Sequence, residues 1–565
     1  MASNSLFRKK PLHDVLTQGD PIGDIHAPEG GHKLHRVLGV RDLTFFGIAA
    51  IIGAGSFTSM GEACFKGGPG VILLFIICAI ACGFTALCYA EFASRVPASG
   101  SAYTYAYVSF GELFAWIIGW ALLMEYSIGN IYVAFSWSGY FNSLMSGFGV
   151  HIPDWLSINY KEAHRAFTDN VVGTGMSAWQ NAPVVGGLKI IFDLPAVCIN
   201  VFITWLVYIG TKESRNVTNA MVVIKLVILA LVIIVGAFYV DINNWTPFMP
   251  HGFGGVMAGA SAVFFTYIGF DAVSTMAEEC KDPKRDLPRG MIYSLAICTI
   301  LYIILLLVIL GMTSYNNLHV NDPLAAVFEI RGVKWMLFIV SIAAVVAIAS
   351  VLLVFQMGQP RIWMSMSRDG LMPKRFSKIH PKYKTPGFAT IITGLVVGVP
   401  LFFTDKDFIL DFTSIGTLFA FVLVCGGVLM LPRNHAAEAD KINKFRLPYI
   451  NGKWIMPLLF VATSILLFTN AYDFLSDTFN LNSPNVSQNI PMIVFFVIYI
   501  IMTVFTFLRN LSLIPVLGLL SCLYLLTGMA ASNWKWFFIW MGIGLAIYFL
   551  YSRRHSKLNV VKVKG

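Results

Sequence analysis

Residues 43–64 read LTFFGIAAIIGAGSFTSMGEAC, and residues 254–279 read GGVMAGASAVFFTYIGFDAVSTMAEE. A bilayer core accepts about 20 apolar residues as helix, so each run is long enough to span one. Each is also interrupted near its middle, the first at Gly53-Ala54-Gly55 and the second at Gly269. A lone glycine in a membrane helix usually serves close packing. The position of the two interruptions along the chain gives them a further meaning.

Apolar runs of membrane-spanning length also lie near 70–94, 110–146, 190–210, 217–240, 290–312, 334–357, 387–403 and 408–431. Four more follow near 454–472, 490–508, 512–530 and 534–551. The pattern predicts an all-α integral membrane protein of about fourteen spans. The interrupted runs are spans one and six, which open two successive five-helix halves at 43–240 and 254–431. Five is odd, so the halves take opposite orientations as an inverted repeat. Corresponding broken helices in two such halves point to a substrate site at the membrane midplane. Residues 1–42 and 552–565 read as polar tails, and 454–551 as four additional spans.

Composition supports a membrane setting. Of 565 residues 57% are apolar and 12% charged, with a mean hydropathy of +0.70. A soluble domain is about a quarter charged. The 40 Lys and Arg residues fall unevenly on the two sides of the predicted topology. Eight lie on one side, namely Lys66, Lys161, Arg165, Lys189, Arg331, Lys334, Lys406 and Lys535, 31 on the side of both termini, and Lys225 within a span. By the positive-inside rule both termini are cytoplasmic, in a cell (inner or plasma) membrane. The net charge of +10 then needs no nucleic acid; the basic runs FRKK and SRRHSK sit where anionic lipid is the partner. The N-terminus lacks the apolar core of a signal peptide.

Enzymatic readings find little support. The nine cysteines form no CxxC pair and keep no company with clustered histidines, so neither a metal site nor a cofactor is expected. GEACFKGGPG lacks the lysine and hydroxyl of a phosphate loop. No filter-like repeat or charged ring suggests a channel.

The breaks suit a zwitterion. An unwound turn frees N–H groups at the start of the following half-helix, where the dipole favours a carboxylate. It also frees carbonyls that accept an ammonium. An α-amino acid carries both groups a bond or two apart.

GVRDLTFFGIAAIIGAGSF and YAEFASRVPASGSAYTYAYVSFGELFAWIIGW resemble the amino acid–polyamine–organocation superfamily, whose core is the five-plus-five fold of the leucine transporter. DLPAVCINVFITWLVYIGTKES, FFTYIGFDAVSTMAEECKDPKRDLPRG and GQPRIWMSMSRDGLMP are similar to the bacterial members of its cationic amino acid transporter family. The resemblance implies a secondary permease without enzymatic activity. It places the substrate carboxylate at Gly53, Ala54 and Gly55. The ammonium goes to carbonyls near Ile51 and Phe265, with Ile268 in the same site. Phe265 is implied as the lid. Ile348 falls where the family lines the side-chain pocket; it and its neighbours are uncharged, so neutral amino acids of small to medium size are expected.

Lys225 lies inside span five, about 12 Å into the helix at 1.5 Å per residue. Lysine is costly there unless paired, facing a cavity or snorkelling to the surface. The residues alone leave these readings level. The resemblance adds that proton-coupled relatives place a lysine here, against the broken first helix and span eight, where sodium-coupled cousins hold their ion. Those cousins supply two neighbouring hydroxyls from span eight; here Ala349 precedes Ser350, so one is present. Protons are the expected coupling ion and sodium the alternative. Glu125 in span three and Asp271 after the second break are further candidates for proton coupling or buried hydrogen bonding. Glu91 and Arg95 stand one turn apart at the end of span two, as a structural i,i+4 pair or a gate.

Overall fold

A computed structural model describes residues 6–11, 36–96, 98–171, 173–320, 322–404, 406–430, 445–470, 478–479, 486–529 and 531–560. Most of the expected N-terminal tail, and residues 561–565 of the C-terminal one, lie outside these residues. The described chain is helical, apart from a two-residue hairpin of β1 (Val184–Val185) against β2 (Leu188–Lys189). The helices begin with α1 (Val40–Ile51), α2 (Met60–Gly67), α3 (Val71–Arg95), α4 (Ala102–Ser109) and α5 (Glu112–Gly147). Two short helices follow, α6 (Tyr160–Thr168) and α7 (Thr174–Asn181), then α8 (Leu194–Ile209) and α9 (Thr211–Ala237). The second part holds α10 (Gly252–Ala258), α11 (Ala260–Tyr267), α12 (Pro283–Met312), α13 (Pro323–Ile330), α14 (Lys334–Arg368), α15 (Gly387–Gly398) and α16 (Lys406–Met430). The C-terminal part is α17 (Ile455–Asn470), α18 (Val486–Arg509), α19 (Leu513–Thr527) and α20 (Ala531–Ile547).

Among the described residues nine helical stretches are long and apolar enough to cross a membrane. The first, Val40–Arg95, takes in the first two predicted spans. Shorter apolar helices stand at 194–209, 387–402, 455–469 and 513–527, where the remaining predicted spans fall short of that length. Large apolar side chains such as Val227, Ile234, Leu458, Phe468, Leu508, Phe538 and Leu550 are exposed around the outside. That distribution belongs to a molecule solvated by lipid.

At the centre α14 lies along α5, and α16 packs on α5 as well. α12 runs across α1 and α3, while α9 touches both α1 and α14. The last helix is bolted to α5 by indoles. Trp120 donates to the Trp540 carbonyl at 2.9 Å and Trp540 to the Trp120 carbonyl at 3.2 Å, with Trp116 donating to Gly544 at 2.8 Å.

Residues 147–193 fold on themselves. Asn159 caps α6 by accepting from the Glu162 N–H at 2.9 Å. Ala163, Ala178, Ala182 and Ile191 form a small core of their own.

Residues 8–10 and 548–557 meet at the start of α5. The Glu112 carboxylate is fully buried and accepts from Arg8 (2.9 Å), Tyr107 (3.0 Å), Tyr548 (3.0 Å) and Ser556 (2.5 Å). Next to it Lys10 and Tyr103 bond the carboxylate of Asp369, which follows α14, at 2.5 and 2.7 Å.

Candidate functional site

Both glycine-marked breaks are present. After Ile51 the chain turns extended at Ile52 (φ −83°, ψ 103°) and restarts as a π turn over Gly55–Ser59. After Tyr267 it turns extended at Ile268 (φ −60°, ψ 140°). It then passes through Gly269 at φ 116° and continues as a 3-10 stretch over Phe270–Glu279. The left-handed φ at Gly269 is one that residues with a Cβ avoid. Each break is also a point of close passage. A Cβ on Gly55 would stand 2.6 Å from Thr266 Cα, and one on Gly269 would stand 2.6 Å from Ala50 Cβ. The glycine of each interrupted helix thus admits the backbone of the other. Both breaks release carbonyls and N–H groups from helical pairing.

Two of the released carbonyls face Lys225. Its fully buried ammonium donates to the Ile52 carbonyl at 2.6 Å, to Ser350 Oγ at 2.9 Å and to the Ala49 carbonyl at 3.1 Å. These acceptors use all three of its protons. Ser350 in turn donates toward the Ala347 carbonyl at 2.6 Å and the Ala49 carbonyl at 3.2 Å. Lys225 therefore ties α9, the end of α1 and the middle of α14 together, and it does not reach the surface. The Ile51 carbonyl, between these two, accepts from the Tyr302 hydroxyl of α12 at 2.8 Å.

Beside this node lies a small cavity of about 10 Å³, room for about one water, lined by Ala50, Ile51, Ala54, Gly55, Val133, Phe265, Ile268, Val351 and Phe355. All these residues are buried, so the cavity is closed from both faces. Among the described residues no charged or polar side chain lines its wall. Phe265 stands edge-on to Tyr132 at 4.8 Å. Ile51, Ala54, Gly55, Phe265 and Ile268 come together here from the two breaks. Gly53 stands behind them, where a Cβ would fall 2.0 Å from Val351 Cγ2. Ile348 is fully buried and is not part of the wall; α14 presents Val351 and Phe355 instead. Val133, Val351 and Phe355 were not singled out from sequence. For Val351 and Phe355 the signal was the helical repeat, since 348, 351 and 355 follow one stripe of α14.

The carboxyls lie elsewhere. Glu125 is buried in α5, and its Oε2 has no hydrogen-bond partner among the described residues. The Asp271 carboxylate turns toward the N–H groups of its own turn, Gly269–Ala272, without a bond of normal geometry at either oxygen. The two carboxyls are near enough to feel one another's charge. Glu91 and Arg95 form an ion pair within α3. Sequence reading missed a fully buried pair between Glu279 and Arg361 of α14, whose Nε donates at 2.7 Å.

Comparison with known proteins agrees with this architecture. The family described as amino acid permease matches residues 38–505, and the C-terminal permease family matches 511–556. The chain is 38% identical over 556 residues to the branched-chain amino acid permease BcaP of Bacillus subtilis (strain 168), covering 98% of this chain and 99% of that one. It is 35% identical over 558 residues to the methylthioribose transporter of the same organism, covering 98% and 100%. Against the vacuolar cationic amino acid transporter 4 of Arabidopsis thaliana it is 36% identical over 438 residues, 76% of this chain and 67% of that one. These relatives are transporters and not enzymes. The chain belongs to the amino acid permease family, within the amino acid–polyamine–organocation superfamily.

Proposed function

We propose that the protein is a proton-coupled permease for neutral amino acids of small to medium size, working by alternating access across the plasma membrane. In this reading it has fourteen spans, an inverted five-plus-five core and cytoplasmic termini. The observation that carries it is the Lys225 ammonium held by Ala49, Ile52 and Ser350 directly behind the apolar cavity. While protonated, that group pins the broken end of α1 to α14. Loss of its proton removes the charge that holds three acceptors together, and α1 is freed to move. A sodium ion at the same place would compete with the ammonium already there, which favours protons as the driving ion.

The substrate carboxylate meets the N–H groups at Gly53, Ala54 and Gly55. The ammonium meets the carbonyls of Ile51 and Phe265. The wall of Val133, Ile268, Val351 and Phe355 takes the side chain. A cationic side chain against that wall would lie desolvated and unpaired, at a cost of several kcal/mol. The similarity to a branched-chain permease supports an aliphatic side chain. Because another relative carries methylthioribose, the test sets that compound beside an amino-acid panel. Purified protein in liposomes should accumulate alanine, valine or leucine when the outside is made acid. Accumulation of arginine alone, or dependence on sodium at constant pH, would overturn the assignment.

A further inference from the structure

Five deeply buried charged residues, Lys10, Glu112, Glu279, Arg361 and Asp369, lie toward the end of the molecule where residues 6–11 and 552–560 pack. The 3-10 stretch that follows the second break ends there on two adjacent acids, and each takes an arginine from α14. Glu279 pairs with Arg361, both about 1% exposed. The second pair comes from the last residue of α14, where Arg368 Nη1 donates to both oxygens of Glu278 at 2.8 Å. The segment before α1 joins on another side. The Val37 and Leu38 N–H groups donate to the Glu279 carbonyl at 2.9 and 3.0 Å, and Lys281 N–H donates to Leu38 at 2.9 Å. The α3–α4 loop covers a third side, with Ser274 donating to Ser101 at 2.7 Å.

Both interrupted helices are thereby tied to each other, and through Glu279 and Glu278 to α14. A buried ion pair is weak as a source of stability, since an apolar replacement is often as good. Its strength is as a two-state element. Joined, each charge is compensated; parted, each needs water, so the pair survives separation only where an aqueous path opens.

We propose that Glu279–Arg361, with Glu278–Arg368 at its rim, is the ionic gate that closes this face of the cavity. The arms carrying the two breaks leave α14 by parting these pairs when the face opens. The inference rests on the alternating-access reading above, but not on the substrate or the driving ion.

Cys280 supplies the reporter. It follows Glu279 directly, is fully buried and holds no disulfide. In a Cys198→Ser background, which removes the exposed thiol, Cys280 alkylation by a membrane-impermeant maleimide is timed in proteoliposomes from each side. Glu279→Gln and Arg361→Met should each speed labelling by about tenfold or more, because reactivity follows the open population. The faster reaction should come from the face bearing the chain ends. The charge-exchanged double variant, Glu279→Arg with Arg361→Glu, should recover part of the protection. Labelling of Glu279→Gln at the parent rate, or a double variant as reactive as the singles, would overturn the gate. If the buried variants do not run as a single species on gel filtration, Glu278→Gln and Arg368→Gln carry the same test at the partly exposed pair. The readout needs no substrate, so failure of the uptake assignments and failure of the gate are separate results.

Discussion

The Tyr302 hydroxyl donates to the Ile51 carbonyl across 2.8 Å. That carbonyl is one the first break sets free, and α12 meets it there before any substrate does. Tyr302 itself is fully buried between Phe75 and Tyr267. The carbonyl keeps one lone pair for a ligand, and the phenol fixes the direction in which that lone pair points.

Tyr302→Phe tests this arrangement. It removes one buried hydrogen bond, so stability should fall by about 0.5–1.5 kcal/mol. A freer Ile51 carbonyl should also weaken substrate affinity while leaving the maximal uptake rate nearly intact. Thermal melting with and without substrate reads both effects; an unchanged substrate-induced shift would remove Ile51 from the binding site.

Lys225→Gln and Lys225→Arg separate coupling from burial. Glutamine cannot carry a charge, and arginine does not release its proton in the physiological range. Both variants should lose accumulation driven by a pH gradient, to an inside-to-outside ratio near one, while exchange of internal for external substrate persists. A lysine serving only as a hydrogen-bond donor would predict near-normal accumulation in the glutamine variant.

The glycines of the first break should differ in how they fail. At Gly55 a side chain meets backbone, Thr266 Cα at 2.6 Å. Gly55→Val should therefore abolish uptake in inserted protein, and no single second-site change should restore it. At Gly53 the obstacle is the Val351 side chain, 2.0 Å from an added Cβ. Gly53→Ala should be severely impaired, and Gly53→Ala with Val351→Ala should regain a measurable part of the uptake.

Side-chain selection should follow the cavity wall. Val351→Ala enlarges it and should shift the preference from valine toward phenylalanine by about tenfold or more, the scale of a missing methylene in an apolar pocket. Ile348→Ser lies outside the wall and should cost about 2–5 kcal/mol of stability, as large-to-small core changes do. The order of substrates should stay as in the parent. Competition for labelled leucine uptake ranks the substrates in each case.

How far the sequence could be read depended on the range of the interaction. Apolar runs and glycine breaks are local, so α1, α11 and the interruptions at Gly53–Gly55 and Gly269 were visible without coordinates. Lys225 was visible because an ionisable residue in an apolar run is itself a signal. The choice of Val351 over Ile348 was not, since both lie on one helical stripe and only the rotation of α14 against the break decides between them. Glu279 and Arg361 stand 82 residues apart, and each by itself resembles a residue at a membrane boundary. Residues 147–189 gave no periodic signal that anticipated α6, α7 and their private core of alanines.

The carboxylate of Glu112 has a bearing on how the protein is made. It heads α5, yet two of its four donors, Tyr548 and Ser556, lie 436 and 444 residues later in the chain. While the ribosome is still producing the second half, this acid waits at the membrane edge with only the early partners Arg8 and Tyr107. Full satisfaction arrives with the C-terminal segment, and the same segment sets its backbone against Asp369, where Lys557 donates at 3.1 Å. A chain released early would keep a half-paired acid at the head of α5, so the packing of this end of the molecule is completed only when the last helix has been made.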